Sequence, residues 1–271
     1  MPSLFQRYNM SKTCQLFSGS SGNSIFISSR ETRILIDAGV TAKRIDEGLS
    51  AIGESADRIN AIFVTHEHTD HIKGLRVLAS RYNIPVFTSR DIADKLFRDG
   101  RVDERITVED INENMELGGI EILPFKNSHD SVECYGYRFN LPDGRAISVC
   151  TDTGYVTPEA RRIIPQSDLV YLESNHEVMM LENGPYPYIL KQRILSRKGH
   201  LSNDDCAEFA RVLAESGTTR FVLAHLSREN NYPDIAKQTT LNSLNAAGFY
   251  EGKDFRLSVS SPVNGSTPIL L

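Results

Sequence analysis

The segment Thr65-His66-Glu67-His68-Thr69-Asp70-His71 decides how this chain is read. It directly follows Ala61–Val64, part of the run AIFVT, whose unbroken apolar and β-branched character predicts a buried strand. Neutral imidazole and carboxylate are ligand types suited to Zn, Mn or Fe. A lone histidine in a polar turn is ordinarily a surface group. Here three histidines and an aspartate fall within six residues, in a chain that has only seven histidines. Alternation places His66 and His68 on the same side of an extended segment. Asp70 and His71 then begin a helix and point to a neighbouring position, an arrangement that suits two adjacent metals. Thr69 is the expected cap of that helix, whose apolar positions are Leu75, Val77, Leu78 and Tyr82.

A two-metal site needs further ligands, and they are expected at strand ends. His129 lies in KNSHD after the strand candidate Ile120–Pro124. Asp152 lies in CTDTG after Arg145–Cys150, and His225 lies in LAHLS after Thr219–Ala224. Around these the pattern predicts strands at 14–18, 24–28, 32–37, 84–88, 132–141, 168–172 and 255–260. It predicts helices at 41–52, 89–97, 202–215 and 233–246. Pro142-Asp143-Gly144 reads as a hairpin turn. Ser202 with Asp205 three residues on reads as a variant capping box.

The composition bounds the rest. Over 271 residues, 30 Lys and Arg stand against 35 Asp and Glu, a net charge of -5, with 40% hydrophobic and 24% charged residues. These values exclude a disordered chain, a fibrous repeat and a disulfide-stapled mini-protein. No apolar run reaches the roughly 18 residues of a membrane span, so no membrane partner is expected. The opening MPSLFQRYNM lacks a signal-peptide core. Residues 1–10 read as an N-terminal extension, with Met10 as an alternative start. The four cysteines (Cys14, Cys134, Cys150 and Cys206) are scattered without a C-x-x-C pair, which predicts reduced thiols in a cytoplasmic protein. No linker or composition break appears, so residues 1–271 are expected to form a single domain.

His66-x-His68-x-Asp70-His71, then His129, Asp152 and His225, with Asp37 in LIDAG, resemble the ordered motifs of the metallo-β-lactamase superfamily from about residue 12 to 260. The resemblance implies an α+β fold, a four-layer αββα sandwich, with two divalent metal ions, Zn or Mn, with Fe also accommodated. By the same carry-over His66, His68 and His129 hold one ion. Asp70, His71 and His225 hold the other, Asp152 bridges them, and Asp37 is structural. Two such ions lower the pKa of a shared water and clamp the oxygens of a displaced ester, the chemistry of a hydrolase.

Three features narrow the substrate. Ser18–Ser24 is a run of small residues whose backbone N–H groups suit an anion nest, with Ser20, Ser21 and Asn23 as substrate contacts. His200, in Gly-His-Leu-Ser, resembles the catalytic histidine of tRNase Z-type nucleases, placed to support a phosphate or protonate a leaving oxygen. Leu190–Lys198 carries Lys191, Arg193, Arg197 and Lys198 and no acidic residue, a composition that phosphate backbones bind. The stretches ESNHE at 173–177, GPYP at 184–187, GHLSN and AHLSRENN are similar to the YycJ/WalJ-type branch of the superfamily. That similarity implies a phosphodiesterase that digests DNA from a 5′ end. His200, Asp70 and Asp152 would be catalytic, and His176 would lie at the rim of the site as a substrate contact. A small-molecule hydrolase (cyclic phosphodiester, thioester or lactone) is the competing reading, and a non-catalytic binding module the third. The overall negative charge excludes a broad DNA-coating surface. It leaves room for phosphate binding at a cleft to which two divalent cations would add about four positive charges.

Overall fold

A computed structural model describes residues 11–111, 113–260 and 267–271. The N-terminal extension read at 1–10 lies outside the described residues. The strands are β1 (Lys12–Phe17), β2 (Ser24–Ser29), β3 (Thr32–Ile36), β4 (Ala61–Phe63), β5 (Val86–Thr88), β6 (Val108–Asp110), β7 (Met115–Leu117), β8 (Ile120–Lys126), β9 (Tyr135–Asn140), β10 (Ala146–Cys150), β11 (Leu169–Glu173), β12 (Arg220–Ala224), β13 (Arg256–Val259) and β14 (Ile269–Leu270). They form two seven-stranded sheets, ordered β14-β1-β2-β3-β4-β5-β6 and β13-β12-β11-β10-β9-β8-β7. By contacts the chain divides into two compact units. The first comprises the residues up to Pro124, Phe139–Arg145 and the C-terminal strand; the second comprises Phe125–Arg138 and Ala146–Ser260.

In the first unit β1, β2 and β3 run antiparallel, and β3 to β6 run parallel. The central strands are buried on both faces, so they read as continuous apolar runs rather than alternating ones. Phe63 stacks on Phe87 at 5.0 Å and meets the ring of Phe139 edge-on at 5.8 Å. The helix Ala42–Ala51 is capped by Thr41 Oγ1, which accepts from the Arg44 N–H, and it buries Ile45 and Leu49. In the second unit β10, β11, β12 and β13 are parallel neighbours. Their apolar faces pack with the helices Asn203–Glu215 and Pro233–Ala246 in a core that includes Phe209, Leu213, Phe221, Leu223 and Leu257. Ser202 Oγ accepts from the Asp205 N–H at 3.1 Å and donates to the Asp205 carboxylate at 2.8 Å, so the capping box closes on a hydroxyl.

Parallel pairing sets the level at which the strands end. Ile36 lies opposite Phe63, Cys150 opposite Leu172, and Leu172 opposite Leu223. Asp37, Asp152 and His225, each just beyond its strand, have φ of 62°, 59° and 57°. Left-handed backbone at a non-glycine residue costs energy and clusters where function needs a particular side-chain direction.

The expected helix from Thr69 is broken in two. His68 rather than Thr69 occupies the cap position of Thr69–Ile72, and a second helix, Leu75–Tyr82, starts after Gly74. Gly74 passes so close to the backbone of Val40 that a Cβ would lie 2.2 Å from that carbonyl oxygen, and its N–H donates to Ala38. The chain is pinned there, which turns the second helix and leaves Val77 half exposed. β6, β7 and β14 escape pattern reading because they are only two or three residues long, and β6 and β7 carry acidic side chains. The helices Pro158–Ile163, Val178–Asn183 and Tyr188–Leu195 bury only one residue each, too few for a periodic signal.

Candidate metal centre

In the first unit the loop after β4 brings three imidazoles together. The His66 ring lies 4.6 Å from that of His68 and 4.1 Å from that of His71, centroid to centroid. Asp37 organises them from the end of β3. Its carboxylate accepts from Thr65 N at 2.8 Å, from Thr65 Oγ1 at 2.9 Å and from His71 Nδ1 at 2.7 Å. Burial pushes the Asp37 carboxyl above its ordinary value, against the opposing pull of His71 and Thr65. With the proton of His71 on Nδ1, its Nε2 carries the lone pair, the arrangement by which a carboxylate orients a metal-binding histidine.

The Ser/Gly loop at 18–24 packs on this turn through its backbone. Asn23 N donates to Asp70 O at 2.8 Å, and Asn23 Nδ2 lies 3.0 Å from His71 Nε2. Gly19 N donates to Asn23 Oδ1 and Gly22 N to Gly19 O. Three amides of the expected nest therefore have partners within the protein, while the Ser20 and Ser21 side chains face solvent. A Cβ on Gly39, in the loop after β3, would fall 1.7 Å from Asp70 O and 2.4 Å from Asn23 N, so only glycine lets that loop lie against both.

In the second unit Asp152, Glu173, His200 and His225 each offer a ligand atom, and these atoms lie within 4.8 Å of one another. Glu173, the fully buried last residue of β11, is the hub. Its Oε1 accepts from His200 Nδ1 at 2.7 Å and from His225 Nδ1 at 2.9 Å. Its Oε2 accepts from Thr153 N at 2.8 Å and from Leu201 N at 3.3 Å. Burial alone would raise this carboxyl; the two imidazoles outweigh it and hold the group below its ordinary value. Asp152 Oδ1 lies 3.2 Å from His225 Nδ1 and 3.7 Å from His200 Nδ1. His129 places Nδ1 2.9 Å from Gly199 O, and burial lowers its pKa, favouring the neutral ring that binds metal. Its ring centre is 4.8 Å from that of His200, which is 5.2 Å from that of His225. Histidines fixed through Nδ1 beside a bridging type of carboxylate form a donor set that fits divalent zinc-like ions.

Asn175 secures this cluster: its Nδ2 donates to His225 O at 2.9 Å and its N–H to Leu201 O at 2.9 Å. His176, expected at the rim, is buried, with neither ring nitrogen hydrogen-bonded, and burial lowers its pKa to about 4. Arg193 forms an ion pair with Asp130, the neighbour of His129. The Arg197 guanidinium stacks over Tyr155 at 3.7 Å, and Lys198 is exposed. Glu173 is the site residue that residue-by-residue reading missed. It ends the apolar strand LVYLE and shows its role only once the loops bearing His200 and His225 converge on it.

A family model for the beta-lactamase superfamily domain matches residues 32–226, and the chain belongs to that superfamily. Within it the chain falls in the WalJ/YycJ exodeoxyribonuclease branch. It is 37% identical to exodeoxyribonuclease WalJ of Streptococcus pneumoniae over 258 residues, 94% of this chain and 95% of that one. It is 34% identical to exodeoxyribonuclease YycJ of Bacillus anthracis over 250 residues, 91% and 94% of the two chains. The metallo-β-lactamase fold protein YhfI of Bacillus subtilis superposes with a TM-score of 0.72 at 15% identity, covering 97% and 99% of the two chains. The expected α+β metallo-β-lactamase fold is thus the fold of this chain. Among the described residues no helix is long and apolar enough to cross a membrane.

Proposed function

We propose that this protein is a metal-dependent exodeoxyribonuclease that hydrolyses DNA phosphodiester bonds from a 5′ end, in the cytoplasm, as one domain over 1–271. His66, His68 and His129 would hold one divalent ion, and Asp70, His71 and His225 the other, with Asp152 shared. The ions, Zn or Mn, when bound supply an activated water and neutralise charge on the phosphate. The observation that carries the reading is the Glu173 carboxylate, one oxygen of which takes both His200 Nδ1 and His225 Nδ1. It joins an imidazole of the ligand set to one outside it. By accepting at Nδ1, Glu173 orients the His200 ring and leaves Nε2 as the nitrogen that meets a phosphate or leaving oxygen. Arg197 and Lys198, just before His200, would neutralise the neighbouring strand phosphates, with Ser20, Ser21, Asn23, His176 and Arg193 as further contacts or supports.

The names of the WalJ and YycJ relatives support DNA as substrate. The test gives purified protein 5′-labelled duplex and single-stranded DNA with Mn²⁺ or Zn²⁺. Nucleotide release that disappears in His68→Ala is expected. No release, or release indifferent to that substitution, overturns the proposal. Small diesters turned over faster than DNA, with Arg197→Ala harmless, would favour the small-molecule reading.

A further inference from the structure

Fifteen residues, Gly184 to Lys198, contain no Asp or Glu in a chain whose net charge is -5. They hold Tyr186, Tyr188 and Ile189 on one side of the sequence and Lys191, Arg193, Arg197 and Lys198 on the other. The helix Tyr188–Leu195 within them packs little of its own surface inward: Ile194 is its one buried residue. Tyr188 is 74% exposed and Ile189 83%, more than any other large apolar side chain among the described residues. Scattered apolar side chains on a surface need no explanation, but an adjacent pair leading into a cationic run does.

This helix is tied to the cluster around Glu173 at its far end. His200 N donates to Ile194 O at 3.0 Å, and a Cβ on Gly199 would fall 2.0 Å from the same oxygen. A Cβ on Gly154 would fall 2.4 Å from Arg197 O, so the loop carrying Asp152 lies directly against the basic turn. At its near end Lys191 Nζ donates to Glu182 O, which fixes the helix to the preceding one. The seven-residue rise from Tyr188 to Leu195 is about 10 Å, roughly three nucleotides of stacked strand.

We infer that Tyr188 and Ile189 form a stacking platform for an unpaired base of single-stranded DNA, about three nucleotides from the scissile phosphate, with the basic turn holding the phosphates between. This deepens the proposed activity and rests on it for the position of the cut. The binding itself is independent of turnover. Sequence-tolerant stacking on an aromatic beside cations is the general way single strands are held. Arg193 is paired with Asp130, but the segment itself has no acid, and Lys191, Arg197 and Lys198 beside exposed apolar residues suit phosphates and bases together, so charge complementarity selects nucleic acid.

The test measures binding of a fluorescein-labelled single-stranded 12-mer to the EDTA-treated full chain, followed by digestion of the same oligonucleotide with Mn²⁺. Tyr188→Ala should weaken binding on the order of tenfold and raise KM with little change in kcat. Tyr188→Phe should restore both, and Tyr250→Ala, an exposed tyrosine elsewhere in the second unit, should change neither. An oligonucleotide abasic at the third nucleotide should bind wild type as weakly as it binds Tyr188→Ala. Unchanged binding in Tyr188→Ala, or a full further loss on the abasic strand, overturns the platform. Failure of digestion with these binding effects intact would overturn the proposed activity and leave the platform standing.

Discussion

The two units build histidine clusters by opposite routes. In the first, His66, His68, Asp70 and His71 come from one short loop, and a single carboxylate, Asp37, steadies one of the rings. In the second, His129, Asp152, His200 and His225 come from four separate loops, and Glu173 holds two rings at once. A cluster drawn from one segment is preset by the local backbone. A cluster drawn from four depends on what ties the segments together. The buried polar hub should therefore matter more in the second unit than in the first.

The largest effect tests the shared premise. His68→Ala removes a proposed ligand and should reduce nucleotide release to background, whereas retained activity would detach the first cluster from the chemistry. The next pits the hubs against each other. Glu173→Gln cannot satisfy two Nδ1–H donors as a carboxylate does. It should cost about 100-fold in metal affinity or kcat/KM, against about 10-fold for Asp37→Asn. Equal losses, or a reversed order, would break the comparison. Gly199→Ala is expected to act on turnover rather than on metal content, because a Cβ 2.0 Å from the backbone oxygen of Ile194 displaces the chain that carries His200. A kcat loss with normal metal content would match that displacement, and unchanged kcat would exclude it.

A separate effect, on folding stability rather than on turnover, concerns pH. The His176 ring titrates at about 4 in the folded protein and near 6.5 when unfolded. Above pH 6.5 both states are neutral there. Between 6.5 and 4 the unfolded chain binds the proton first, so stability falls as pH falls through that window, by up to about 3 kcal/mol. Between pH 7 and pH 4.5 the urea midpoint of wild type should fall further than that of His176→Gln. Equal falls in the two proteins would show that His176 does not contribute to acid sensitivity.

The contrast also explains what was legible beforehand. The HEHTDH stretch announces itself because its candidate ligands are neighbours in sequence and follow a strand. His129, Asp152 and His225 are legible as strand-end residues, and their assignment as ligands came from resemblance. Glu173 carries no local mark: LVYLE reads as a buried strand, and its final carboxylate becomes a hub only through contacts 27 and 52 residues away in sequence. The Ser/Gly loop shows the converse. Its small residues do leave amides exposed to partners, but Asp70 and the loop's own atoms take up several of them. His176 sits in a motif of polar residues that suggests a rim, yet it is buried, with its backbone bridged to that of Ser202.

The most direct test of the account is the metal content of the purified native protein, measured by mass spectrometry alongside DNA digestion before and after chelation. The account predicts two divalent ions per chain, loss of nucleotide release on chelation and its return when Mn²⁺ or Zn²⁺ is restored. Full activity in a metal-free protein would contradict it.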